Sequence, residues 1–170
     1  MENFIKIDPA QLTENVFELF HKDWMLITSG APEQKNTMTA SWGGMGIMWA
    51  KNVAYCVIRP QRFTYRTMEA GEYYTFSFFE ERRCRDQLNH MGKVSGFDED
   101  KIAGSGLTPV DVGFGCTAFT EAKCVMTLRK LYYTDVNPQN FIDASLDKIY
   151  PTGDYHRMYF GEIVECFVRQ

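Results

Sequence analysis

The fold is limited first by a set of short strand-like runs, two of which alternate with a period of two. Tyr74, Phe76 and Phe78 alternate with Tyr73, Thr75 and Ser77, and Ala122, Cys124, Met126 and Leu128 alternate with Lys123, Val125, Thr127 and Arg129. That period puts successive side chains on opposite faces, so Tyr73–Phe79 reads as a half-buried strand and 122–129 as a longer one. Further strands are expected at Trp24–Thr28, Thr37–Ser41, Val53–Ile58 and Tyr159–Val168. Three helices are expected. The first is capped and amphipathic, from Asp8-Pro9 through Leu12, Val16, Leu19 and Phe20; the others span Gln61–Glu69 and the polar stretch Glu81–Met91. A doubly wound sheet needs regular strand–helix alternation, which this chain lacks. Many short strands with a few interspersed helices instead specify a mainly β, closed antiparallel barrel with helical insertions. No repeat, low-complexity tract or linker interrupts residues 1–170, so one domain is expected.

Composition narrows the function. Aromatics make up 15% of the chain, which suits a β-rich core or a pocket for a flat ligand. A net charge of −4 with no basic run excludes nucleic acid as the expected partner. The longest apolar runs are of strand length and no basic start precedes an apolar stretch, so neither export nor membrane insertion is expected. Cys56, Cys84, Cys116, Cys124 and Cys166 form no CxxC pair, the pattern of reduced, inert thiols in a cytoplasm. His21, His90 and His156 do not sit at metal spacing, so no metal site is expected.

Two segments carry chemistry. Asn36-Thr-Met-Thr-Ala-Ser-Trp-Gly-Gly44 runs a strand into a glycine-rich stretch, where uncovered N–H groups would let an anionic or planar ligand approach. In Val57-Ile-Arg-Pro-Gln-Arg-Phe-Thr64, an apolar strand ends in Arg59 and Arg62, fixed by Pro60. The bland alternatives are a solvated strand end for the arginines and a tight turn around a core Trp for the glycines. Hydroxyls, bare amides and two guanidiniums together favour a phosphate dianion, because charge-assisted bidentate bonds are the strong ones.

With Lys93-Val-Ser-Gly-x-Asp-x-Asp-Lys101 and Asp154-Tyr-His-Arg-Met-Tyr-x-Gly-Glu-Ile163 added, the chain resembles the flavin reductase family of FMN-binding split barrels, in its flavoredoxin-like branch. The resemblance spans residues 20 to 168 and implies a Greek-key-type split barrel that binds FMN (FAD in some members) as a homodimer. It implies that Thr39, Ala40, Ser41 and Trp42 line the flavin, and that Arg59, Gln61, Arg62, Thr64 and Tyr65 hold the phosphate and ribityl end. Ser77 and Phe78 would lie under the ring system, and the loop with Lys93, Ser95, Gly96 and Lys101 would close over the cofactor. Phe97 departs from the pattern, standing where relatives often carry Arg.

The resemblance implies an oxidoreductase in which NAD(P)H, a transient co-substrate, passes hydride to the flavin, with His156 positioning the nicotinamide. No G-x-G-x-x-G follows a strand and opens a helix, so the nicotinamide would bind by stacking and not in a Rossmann site. Two other readings stay open: a flavoredoxin-type carrier relaying electrons to an acceptor protein, and a non-catalytic flavin or haem-binding module.

Overall fold

The computed structural model describes residues 3–80 and 83–170. In chain order it contains β1 (Phe4–Ile7), a 3-10 turn (Pro9–Gln11), α1 (Val16–Glu18), a π-helical segment (Leu19–Asp23), β2 (Met25–Ser29), β3 (Asn36–Ala40), β4 (Gly43–Met48) and β5 (Lys51–Ile58). There follow α2 (Phe63–Ala70), β6 (Tyr73–Phe78), α3 (Arg85–Lys93), β7 (Pro109–Asp111), β8 (Thr117–Phe119), β9 (Cys124–Asp135), two 3-10 turns (Pro138–Asn140 and Ala144–Ile149) and β10 (Arg157–Arg169).

The main sheet is antiparallel in the order β3-β2-β6-β9-β10-β5-β4, and β1 pairs with the C-terminal part of β10. The strands at its two ends, β3 and β4, are consecutive in the chain and joined only by Ser41 and Trp42. One continuous segment therefore closes the barrel. Inside it lie Phe20, Met25, Ile27, Tyr74, Phe76, Phe78 and Tyr159, all buried. Each such side chain contributes on the order of 1.5–3 kcal/mol on leaving water. A second apolar layer, including Leu26, Phe79, Leu88, Met91, Phe119 and Val125, fills the space outside the barrel wall.

That second layer corrects the half-buried reading of β6: Tyr74 through Phe78 are all buried, because both faces of the strand are covered. The expected N-terminal helix is also broken. Asp8 and Gln11 form a capping box around a single 3-10 turn, Leu12 turns extended, and Asn15 starts a new helix by accepting from the Phe17 and Glu18 amides. Two caps in close succession outweigh one amphipathic stripe. The helix expected from Glu81 begins at Arg85, and its first two expected residues lie outside the described residues. The short strands β1, β7 and β8 carry no period long enough to be read from sequence. All five cysteines are free thiols. Among the described residues no helix is long and apolar enough to cross a membrane.

Candidate functional site

The corner between β3 and β4 is set by glycine, for a reason the sequence did not disclose. Gly43, Gly44 and Gly46 were expected to expose bare backbone; instead all three pair with β5. A Cβ on Gly43 would lie 2.5 Å from both the Phe20 ring and the Tyr55 carbonyl oxygen, and one on Gly44 would lie 2.7 Å from the Tyr55 ring. Gly43 and Gly44 are needed for close packing of β4, whereas a Cβ on Gly46 would meet open space. The backbone outside any strand is at Ser41 and Trp42. Beyond them β3, an end strand of the sheet, turns one row of backbone groups away from the ladder.

A cleft runs along this corner as three hollows that share lining residues. About 210 Å³ lies among Met38, Thr39, Ala40, Ser41, Trp42, Val57, Arg59, Arg62 and His156. About 390 Å³ continues past Gln61, Phe63, Thr64, Val94, Ser95, Gly96 and Lys101. A further 200 Å³ opens beside Trp24, Asn89 and Lys93. Gly96 lets the loop after α3 close against β3, since a Cβ there would fall 2.3 Å from Asn36 Oδ1.

The 390 Å³ hollow carries donors of the kind an anion needs. Arg62 occupies the N-cap of α2 without a side-chain cap, and the Phe63 and Thr64 amides have no protein acceptor among the described residues. Open amides and the helix dipole both favour negative charge there. Two cations stand beside them, both held by the C-terminal carbonyls of α3. Arg62 Nη1 donates to Gly92 O at 2.9 Å, and Lys101 Nζ donates to Met91 O at 2.9 Å and to Val94 O at 3.1 Å. Lys101 is 3% exposed, and burial together with the Arg62 charge lowers its pKa to about 8. Among the described residues neither cation has a carboxylate at ion-pair distance. Buried cations without a counter-charge are costly, so the arrangement favours a bound anion.

Arg59 differs from Arg62 in this respect. It forms a short ion pair with Asp154, whose Oδ2 also accepts from Gln61 Nε2 at 2.6 Å and whose Oδ1 accepts from Thr152 Oγ1 at 2.9 Å. These donors, Arg59 first, hold the Asp154 carboxyl well below the usual carboxylate range. Arg59 also donates to Ile149 O at 3.2 Å, tying the segment before β10 over the end of β5. His156 is the last residue of that segment. Its Nδ1 lies 2.8 Å from Tyr150 Oη, and its ring centroid is 5.2 Å from that of Trp42. Burial first, then the Arg59 charge, lowers its pKa to about 4, so the imidazole is neutral at pH 7.

Of the expected site residues, Thr39, Ala40, Ser41, Trp42, Arg59, Gln61, Arg62, Thr64, Lys93, Ser95, Gly96, Lys101 and His156 all line the cleft. Several are already engaged: Thr39 Oγ1 donates to Leu88 O at 2.5 Å, Thr64 Oγ1 accepts from Asn36 Nδ2 at 2.7 Å, and Asp154 takes Arg59 and Gln61. Three residues lie elsewhere. Phe78 is in the barrel interior against Phe20, Ser77 is fully buried on the other face of β6, and Tyr65 packs beside the Arg157 guanidinium. β6 is separated from β3 by β2, so neither of its residues reaches the cleft. Phe97 takes an edge-on contact with Phe63 at 4.8 Å and lies 4.6 Å beneath the Arg66 guanidinium, so a neighbour supplies a cation near the position. Met38, Val57, Phe63 and Val94 also line the cleft; the strand and helix patterns around them carried no sign of it.

Comparison with known proteins agrees with this fold. The chain aligns over 98% of its length with an FMN-binding domain of a flavin reductases-like enzyme from Shewanella baltica OS155, covering 78% of that chain at 12% identity and a TM-score of 0.71. Flavoredoxin of Desulfovibrio vulgaris (Miyazaki F) gives a TM-score of 0.67 at 20% identity, over 98% of this chain and 78% of that one. An NADH:FAD oxidoreductase of Streptomyces globisporus C-1027, solved with NAD and FAD fragments, gives 0.63 at 13% identity over 88% and 75%. Identities this low support the split-barrel fold and nothing finer. No curated protein sequence matches the chain. The family model for the flavin reductase like domain matches residues 17–170, and the chain belongs to that family.

Proposed function

We propose that the cleft binds FMN and that the protein is an NAD(P)H-dependent flavin reductase. The observation that carries the reading is the pair of uncompensated cations, Arg62 and Lys101, beside the open amides of α2. In this reading they hold the phosphate with the Ser95 loop, and the ring lies toward Ser41, Trp42 and His156. The unpaired backbone row of β3 is suited to the polar edge of a planar heterocycle. When bound, flavin supplies a two-electron acceptor for hydride from a reduced nicotinamide. Arg59 is engaged by Asp154, so its part is to fix the segment that carries His156. The neutral imidazole, oriented by Tyr150, offers a polar contact that does not titrate near neutrality.

Stopped-flow reduction tests this assignment. His156→Ala should slow reduction by NAD(P)H through a severalfold rise in KM, with a smaller effect on kcat and on FMN affinity. No new pH dependence should appear between pH 6 and 8, because the ring it replaces is uncharged there. Wild-type kinetics in the variant would remove His156 from the site. A wild type that binds FMN but is never reduced by NAD(P)H would favour the electron-relay reading, with an acceptor protein in place of the nicotinamide.

The same proposal includes a homodimer. β4 is an end strand, and its hairpin to β5 leaves Ile47 74% and Trp49 51% exposed. An apolar, unpaired edge favours cover by a second copy. Sedimentation should give a dimer, and a stable monomer with full FMN stoichiometry would reject it.

A further inference from the structure

Tyr150 lies on the segment that crosses from β9 to β10, and its neighbours fix both its ring and its backbone. The Phe141 ring stacks on it with centroids 6.2 Å apart and planes 19° from parallel, Tyr155 packs at 4.8 Å, and the Arg59 guanidinium lies 5.2 Å from its ring centre. Its amide donates to Asp147 O at 2.9 Å, and its carbonyl accepts from the Gly153 amide at 3.0 Å. Tyr155 is tied down in turn, its Oη donating to Asp147 Oδ1 at 2.6 Å. The place of the Tyr150 hydroxyl is therefore set before any ligand arrives. Tyr150 and His156 are both buried, each 9% exposed.

A neutral imidazole carries its hydrogen on one nitrogen, so the 2.8 Å contact between Tyr150 Oη and His156 Nδ1 admits two arrangements. If Nδ1–H donated, the phenol hydrogen would need an acceptor of its own. Among the described residues Tyr150 Oη has no partner besides His156. A buried hydroxyl hydrogen without an acceptor is costly. If the phenol donates, that cost disappears: Nδ1 accepts, and the imidazole hydrogen sits on Nε2. Burial raises the pKa of Tyr150 and lowers that of His156, which keeps the shared proton on the oxygen. Nε2 has no protein partner among the described residues, and His156 lines the 210 Å³ hollow beside Trp42.

We propose that Tyr150 is a positioning residue that holds His156 as its Nε2–H tautomer, so that the ring end of the cleft presents an uncharged donor and selects a ligand carrying a carbonyl oxygen there. The opposite tautomer would present an acceptor and select a ligand N–H instead. The proposal rests on the reductase reading only for the identity of that ligand. A reduced nicotinamide supplies the oxygen in its carboxamide group.

Long-range proton–nitrogen NMR of the labelled, flavin-free protein reads the tautomer directly, with the His156 signals assigned by their loss in His156→Ala. Wild type should show Nε2 protonated and Nδ1 bare at pH 7. Tyr150→Phe keeps the ring that packs on Phe141 and Tyr155 and removes only the hydroxyl, so it should give a mixture of the two tautomers. The same variant should raise KM for NAD(P)H about twofold to tenfold, with kcat and FMN affinity close to wild type. The reduced thionicotinamide dinucleotide, whose sulfur is a poor acceptor, should have a higher KM than NAD(P)H in wild type, and Tyr150→Phe should narrow that gap. Protonated Nδ1 in wild type, or an unchanged tautomer in Tyr150→Phe, would overturn the role of Tyr150. A mixed tautomer with an unchanged KM would overturn the selection of a carbonyl oxygen. A wild type with the Nε2–H signature that NAD(P)H never reduces would overturn the reductase reading and leave the tautomer assignment standing.

Discussion

Arg62→Ala should cost FMN about tenfold to a hundredfold in affinity and leave riboflavin nearly untouched. A hydrogen bond to a charged group is worth on the order of 1.5–3 kcal/mol, and that energy sets the factor. Arg62 stands at the uncapped start of α2 and donates to the Gly92 carbonyl, so its charge is not spent on a carboxylate. Riboflavin lacks the phosphate and should not register the loss. Arg59→Ala should behave differently. It would free Asp154 and loosen the segment that carries His156, weakening both flavins together. Equal weakening of FMN and riboflavin by Arg62→Ala would place Arg62 away from the phosphate.

FMN affinity should also fall as pH rises above 8, by up to about tenfold per pH unit. The sign follows from Lys101. In the free protein its pKa is lowered to about 8 by burial and by Arg62. A phosphate dianion beside it favours the charged ammonium, so the bound-state pKa lies higher. Between those two values binding takes up a proton, and each step toward alkaline pH weakens it. Below pH 8 the lysine is already charged and the affinity should level off. Riboflavin should show no such slope. Lys101→Met should bind FMN weakly and without the slope, and isothermal titration in buffers of differing ionisation heat would count the proton directly. An FMN affinity independent of pH across this range would remove Lys101 from the phosphate site.

Lys101 and the two arginines illustrate what could be read from sequence and what could not. The alternation over Tyr73–Phe78 and 122–129 is a local property, and both runs became strands of the barrel wall. The run Arg59-Pro-Gln-Arg62 is legible for the same local reason: a proline and a helix start fix where the guanidiniums lie. Which arginine is free is not local. Arg59 is neutralised by Asp154, a residue 95 positions away, and only the pairing of β5 with β10 brings the two together. The glycines of β4 followed the same rule. In the sequence they signal open backbone, whereas at Gly43 and Gly44 the constraint comes from Phe20 and Tyr55, which occupy the space a Cβ would need. Ser77 and Phe78 were misplaced because a strand period gives the two faces of β6 without saying that β2 stands between it and the cleft.

Ser41 and Trp42 join the two ends of the sheet and also line the cleft. The two ends of the cleft are therefore under unequal constraint. Substitutions at the Ser41–Trp42 end alter how the barrel shuts, so drift there is coupled to the stability of every strand. The far end is carried by the loop after α3 and the start of α2, outside the sheet, and can be remodelled at little cost to the rest. With a ligand seated as proposed, a lineage built on this scaffold would change which tail that ligand carries much more readily than which ring it holds.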